Sequence, residues 1–384
     1  MRTRVKNTLT GVLTGVLLVG SSYSHAEIIP FDSDRWAFHD NNIEDTKIEH
    51  KVTEHLGQQS LFLRHGFAVV NDLNVTDGIL EYDIAFEQPG NAYVGAVWRF
   101  QDIHTFEWLY SRPHRSGELN ATQYGPSING SDSAIWYEGK EETYTITFQP
   151  AELSLKGWTH IKCVFSGDYA TVYVGKMDTP VLTFQHELDT KSGLIGLLAS
   201  GPSFAKGAYY ANFSFVADHT PIKLESKIST PEGMIRSWLV SGLVEDKLLD
   251  DDKLFLTKNF QNNKWTKLIT KDTGYVNLGK IQAVKPEENK NTVFARTTVT
   301  SEENQVKRFT FRGCLFNAYK IYLNGQVLFG IDQKLHNVLT PYINLYLPLK
   351  KGENELTIAV SRKTDGGWGF EGQLESLKGV KLMD

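Results

Sequence analysis

The sequence predicts an all-β protein built as two successive sandwiches. Three observations lead there. Apolar and polar residues alternate with a period of two through many short segments, as in GILEYDIAF at 78–86, where Leu80, Tyr82, Ile84 and Phe86 fall on one side and Glu81 and Asp83 on the other. No long stretch keeps a helical period. Between 217 and 234 the alternation lapses into the polar, proline-bearing ADHTPIKLESKISTPEGM, which predicts a domain boundary in a chain of 384 residues.

The first 26 residues have the layout of an export signal. A basic start (Arg2, Arg4, Lys6) precedes the apolar run LTGVLTGVLLVG at 9–20, and Ser24 and Ala26 supply the small side chains of a cleavage site. The apolar run falls short of the roughly 20 residues that a membrane-spanning helix needs, and no later stretch approaches that length. The expectation is a leader at 1–26 and a soluble product, periplasmic or extracellular, without membrane insertion. No cysteine stands near the cleavage site, which argues against a lipid anchor.

Loss of the leader removes three of the 40 basic residues and none of the 45 acidic ones, so the net charge moves from −5 to about −8. An acidic protein of this kind is a poor partner for nucleic acid or an anionic membrane.

From 27 to 217 the strand candidates are GILEYDIAF, NAYVGAVWRF, TFEWLYSRP, TYTITF, WTHIKCVF, ATVYVG, GLIGLLA and YYANFSF, enough for a two-sheet sandwich. A linker at 218–233 follows. From 234 to 384 shorter strands resume and predict a smaller sandwich or jelly roll. Asn324-Gly325 in AYKIYLNGQVLF is the clearest hairpin signal, because both residues tolerate positive φ. LPLKKGENELTIAV at 347–360 reads as a second hairpin. Cys163 falls on an apolar strand face and Cys314 lies far along the chain, so two buried free thiols are expected rather than a disulfide.

The run FEWLYSRPH at 106–114 carries the main question. As a strand it sets Phe106, Trp108, Tyr110 and Arg112 on one face and Glu107, Leu109 and Ser111 on the other. Such a face is either core or a stacking platform for a ring-shaped ligand. A guanidinium is rarely buried without a partner, so the Tyr110/Arg112 end is expected to face solvent or a polar groove. If Trp98 points to the core, alternation places Arg99 opposite it. Arg99, Trp108, Tyr110, Arg112 and His114 then form a candidate ligand-binding set, meeting Glu81 and Asp83 on one exposed face.

These residues resemble a known architecture. DGILEYDIAF, GAVWRFQD, FEWLYSRPH, TQYGPSING and the W-x-H-x-K strand WTHIKCVF followed by ATVYVG resemble the laminin-G-like, concanavalin-A-like lectin/glucanase domains of secreted bacterial proteins, over about 30–216. IYLNGQVLF, LKKGENELTIAV and GGWGF resemble the galactose-binding-like β-sandwich of secreted glycosidases, over about 231–384. The resemblance implies a concanavalin-A-like two-sheet jelly roll followed by a smaller galactose-binding-like sandwich, with carbohydrate as the partner. It does not name a reaction, since such folds host lectins, hydrolases, lyases and adhesion modules.

Glucanases with this fold place two glutamates on one strand as E-x-D-x-x-E, because a retaining mechanism holds an acid and a nucleophile about 5 Å apart. That pattern is absent. Glu81, Asp83 and Glu107 are the remaining catalytic candidates, with Asp102 and His104 beside the last. No nucleophile elbow, metalloprotease motif, phosphate loop or Cys/His zinc spacing occurs. The expected cofactor list is empty apart from calcium, for which Asn129 and Asp132 in INGSDS offer oxygen ligands. Three functions stand: a carbohydrate-binding protein without catalysis, a glycoside-active enzyme using Glu81, Asp83 and Glu107, and a laminin-type adhesion module. In DGGWGFEG at 365–372, Trp368 is expected to be buried, closing the second sandwich or the junction between the two.

Overall fold

The computed structural model describes residues 26–41, 46–86, 90–132, 145–222, 230–247, 260, 264–281, 290–314, 317–331, 342–362 and 367–383. Residues 1–25 of the expected leader and the TYTITF side chains lie outside this set, as does the side chain of Asp132. Among the described residues the regular structure is strand and short 3-10 turn apart from the helical Phe260, and no helix is long and apolar enough to cross a membrane.

Two sheets form the first sandwich. Sheet I runs, in spatial order, Thr145–Phe148, Leu182–Gln185, Tyr169–Val174, Thr159–Ser166, Gly78–Phe86, Ala208–Val216, Gln58–Arg64 and Glu49–His55, with Glu27–Ile28 beside Ala208–Val216. Sheet II runs Ser131–Asp132, Ser127–Ile128, Thr105–Ser111, Tyr93–Asp102, Gly193–Ser200, Gly66–Val75 and Trp36–Asp40. All described pairings are antiparallel; some join consecutive strands, as in Glu49–His55 with Gln58–Arg64, and others join strands remote in sequence, as in Gly78–Phe86 with Thr159–Ser166 and Ala208–Val216. The alternation read from 78–86 holds: Leu80, Tyr82 and Ile84 point inward to Cys163, Phe165, Val94, Ala96 and Trp98, whereas Glu81 and Asp83 face outward. An outer cluster covers the far side of sheet II, where Phe67, Val69, Val97, Phe100, Phe106, Trp108, Tyr110 and Leu198 pack together.

The second sandwich joins a sheet of Trp265–Ile269, Ser237–Ser241, Thr292–Ser301, Gly352–Arg362, Asn317–Leu323 and Gln326–Ile331 to a smaller one of Val276–Asn277, Gly369–Leu374, Gln305–Gly313 and Tyr342–Leu349. Asn324 and Gly325 both take positive φ in the hairpin predicted there. The second expected hairpin does not form. Tyr342–Leu349 pairs with Gln305–Gly313 in one sheet, while Gly352–Arg362 pairs with Thr292–Ser301 and Asn317–Leu323 in the other. The turn between them is a corner that carries the chain across the core. Asn354 pins it, accepting from the Lys350 amide and donating to the Lys350 and Gly352 carbonyls.

Cys163 and Cys314 are free and buried, one in each sandwich. Trp368 is buried in the second core, as its glycine-rich setting implied, and its amide donates to Ser131 Oγ of the first sandwich at 2.9 Å. Around that contact the two sandwiches meet through polar groups. Asn129 donates to the Gly279 carbonyl at 2.8 Å, Arg362 to the Gly130 carbonyl at 3.2 Å, and Lys271 to the Leu188 carbonyl at 3.0 Å. Gly279 sits so close that a Cβ there would meet the Ile128 carbonyl at 2.3 Å, so only glycine fits.

Candidate functional site

The structure separates the residues that sequence periodicity grouped. Glu81 and Asp83 belong to sheet I, whereas Arg99, Glu107, Trp108, Tyr110 and Arg112 belong to or adjoin sheet II, so the exposed face expected to unite them does not exist. Arg99 is fully buried. Two residues, Trp98 and Arg99, stand opposite the single Ile195, and Arg99 takes φ +47° in this β-bulge. The extra residue breaks the alternation, so both side chains enter the sandwich interior, where Arg99 reaches the Gly167 carbonyl of sheet I.

Glu107 is buried beside it. Its Oε2 accepts from Tyr124 Oη at 2.6 Å and its Oε1 from the Leu188 amide at 2.9 Å. Burial raises its carboxyl above the usual range against the pull of Tyr124 and Arg99. It is closed off from Glu81 and Asp83, so the catalytic trio is dissolved. Trp108 and Tyr110 are likewise buried in the outer cluster of sheet II, with Tyr110 Oη donating to Gln123 at 2.8 Å. Arg112 is half-buried and donates from Nε to the Asn120 carbonyl at 3.0 Å, while the His114 ring contacts the Gly90 carbonyl at 3.2 Å. These groups hold a turn together and make no platform. The expectation that the Tyr110 end meets solvent fails because packing on the outer face of a sheet leaves no mark in the strand's own period.

Asn129 also has a structural task, at the junction with Gly279. Asp102 Oδ1 accepts the His104 amide within its own turn. Among the described residues no group of three or more His, Cys, Asp or Glu side chains is placed to hold a metal ion.

An open site does exist, on the outer face of sheet I. There the alternating strand Gly78–Phe86 lies between Thr159–Ser166 and Ala208–Val216, with His160 opposite Asp83 and Lys162 opposite Glu81. Asp83 Oδ1 binds His160 Nδ1 at 2.7 Å, and Asp83 Oδ2 accepts from Asn212 Nδ2 at 2.6 Å. Asn212 reaches it because a bulge with φ +53° turns this side chain outward. A carboxylate accepting at Nδ1 fixes the proton there and leaves Nε2 as the outward nitrogen. That nitrogen stands 3.8 Å from Glu81, and Lys162 Nζ stands 3.7 Å from the other Glu81 oxygen, both beyond hydrogen-bond distance.

An aromatic row runs alongside. Trp158 precedes His160 by two residues and so shares its face. Its Nε1 donates to the Leu56 carbonyl at 3.4 Å, crossing to the turn between Glu49–His55 and Gln58–Arg64. His55, in that hairpin, meets Trp158 edge-on at 5.8 Å and stacks on Tyr209 at 3.7 Å and 4°. Phe62 extends the row, 5.1 Å from Tyr209. All four rings are half-buried, each leaving part of its surface to solvent. The sequence contained two signals for this site, the outward Glu81/Asp83 pair and the W-x-H-x-K strand. His55, Tyr209 and Asn212 arrive from strands adjacent only in space.

No family model and no curated protein matches the sequence. Solved structures similar in part include the carbohydrate-binding module CBM66 from Bacillus subtilis, 15% identical, with a TM-score of 0.34 over 47% of this chain and 93% of that one. A Bacillus subtilis protein with a galectin-like fold is 14% identical, with a TM-score of 0.33 over 50% and 94%. The Bacillus licheniformis beta-glucanase is 10% identical, with a TM-score of 0.35 over 51% and 98%.

Proposed function

We propose that this protein binds carbohydrate on the outer face of sheet I, without cleaving it, as an exported protein. One observation supports the reading above all others. A row of partly exposed rings, Trp158, His55, Tyr209 and Phe62, lies against a row of hydrogen-bonding groups, His160, Glu81, Lys162 and Asn212. Sugar rings present a CH face that stacks on aromatics and an edge of hydroxyls that bonds carboxylates, amides and imidazole, so the two rows match the two sides of one ligand. Glu107 lies inside the sandwich, and Asp83, the other carboxylate on this face, is held by His160 and Asn212, so neither is offered to a substrate as the second acid that hydrolysis of a glycosidic bond requires.

Native affinity electrophoresis through gels holding soluble polysaccharides tests this. The wild-type protein is expected to be retarded in at least one gel, and Trp158→Ala to abolish the retardation with an unchanged melting temperature. Retardation that survives both Trp158→Ala and His160→Ala, or release of reducing sugar by the wild type, overturns the proposal.

A further inference from the structure

Resting on that reading, we infer that the site selects uncharged glycans and rejects those bearing carboxylate or sulfate groups. The polar row is arranged around acceptors. Asp83 is saturated, one oxygen on His160 and the other on Asn212, so it positions these two and has little left for a ligand. Glu81 is different: both oxygens have neighbours only at 3.7 and 3.8 Å, and its side chain is 34% exposed. It therefore offers the strongest acceptor on the face. His160 Nε2, the nitrogen left over once Nδ1 holds its proton on Asp83, is a second acceptor in the neutral ring.

Two acceptors side by side call for a ligand edge that donates, which hydroxyls do and carboxylates or sulfates do not. Charge points the same way. Glu81 and Asp83 lie two residues apart on one face, and among the described lysines and arginines Lys162 alone comes within ion-pair distance of either, so carboxylates outnumber these cations there. Lys162 stands 3.7 Å from Glu81 and 5.7 Å over the Tyr173 ring, and Arg64, at the far end of the sheet, pairs with Glu49. Lys51, opposite Phe62, lies across the aromatic row from the carboxylates. Among the described residues no cluster of arginines faces outward on this sheet, the arrangement that binds carboxylate and sulfate bidentately.

The experiment is an affinity comparison on the intact protein at one salt concentration, using soluble neutral glucan, xylan and galactan against polygalacturonate, alginate and a sulfated galactan. The expected result is that the tightest neutral polymer binds about tenfold or more tightly than any anionic one, the scale of one like-charge contact near a protein surface. Glu81→Gln, which keeps the size and one acceptor but removes the charge, is expected to narrow that gap by at least about threefold. Anionic polymers that bind as tightly as the neutral ones, or a gap unchanged in Glu81→Gln, overturn this inference and leave the carbohydrate reading standing. Absence of binding to every polymer, or binding indifferent to Trp158→Ala, overturns the carbohydrate reading itself.

Discussion

Asp83 holds Nδ1 of His160 at 2.7 Å from the neighbouring strand, and thereby decides which nitrogen of the ring faces outward. Asp83→Asn replaces a carboxylate acceptor with an amide that can present its NH2 group to Nδ1, so the ring loses its fixed orientation. Glycan affinity is expected to fall about tenfold, since a hydrogen bond to a charged group contributes roughly 1.5–3 kcal/mol. Isothermal titration reads the loss. A melting temperature that falls as well, with affinity unchanged, would assign the pair to stability alone.

Tyr110 offers the opposite case. It is buried among Phe106, Trp108 and Tyr93 on sheet II, with its hydroxyl on Gln123. Tyr110→Ala should cost about 3–5 kcal/mol, the usual range for truncating a buried aromatic side chain, and leave binding per folded molecule intact. Chemical denaturation beside titration separates the two effects. Weakened binding at full stability would restore the stretch 106–114 as a ligand platform.

Glu107 gives a pH dependence with a definite sign. Burial raises its folded-state pKa above the ordinary carboxylate value near 4.5. Between the unfolded and folded values the native state binds the extra proton, so its contribution to stability is complete at low pH and is lost as pH rises through the folded value. Denaturation midpoints of wild type and Glu107→Gln, taken from pH 4.5 to 7.5, should therefore converge or cross as pH rises, the wild type losing its advantage. An advantage that grows with pH would mean that Arg99 stabilises the ionised form more than burial opposes it.

Trp368 fills the second core while its backbone bonds Ser131 of the first sandwich. Trp368→Ala should destabilise the second sandwich by about 3–5 kcal/mol. Ser131→Ala, which removes only the contact across the junction, should cost about 1 kcal/mol. Denaturant titration followed by tryptophan fluorescence checks both, and equal losses would show that the ring itself adds little.

The architecture was legible because a strand with one face in a core writes its burial as a period of two, and 78–84 does so before the run of buried residues at 84–86. Glu81 and Asp83 were placed on the outer face by the same rule. Arg99 defeated it because one bulge residue inverts the parity of everything around it, and a bulge is a relation between strands. Tyr110 defeated it because sheet II is buried on both faces. The corner at 350–351 was mistaken for a hairpin since either geometry takes a short polar turn between apolar strands. His55, Tyr209 and Asn212 join Asp83 and His160 only through the order of strands in sheet I, which pairing between remote segments determines.

The two free cysteines sealed in separate cores make the protein its own unfolding recorder. Burial in the first core pushes the Cys163 thiol far up, and Cys314 lies buried against the Tyr275 hydroxyl at 3.3 Å, so neither reacts with an alkylating reagent while its sandwich is closed. Mass labels acquired at Cys163 and Cys314 therefore time the opening of each half separately, with no engineered probe.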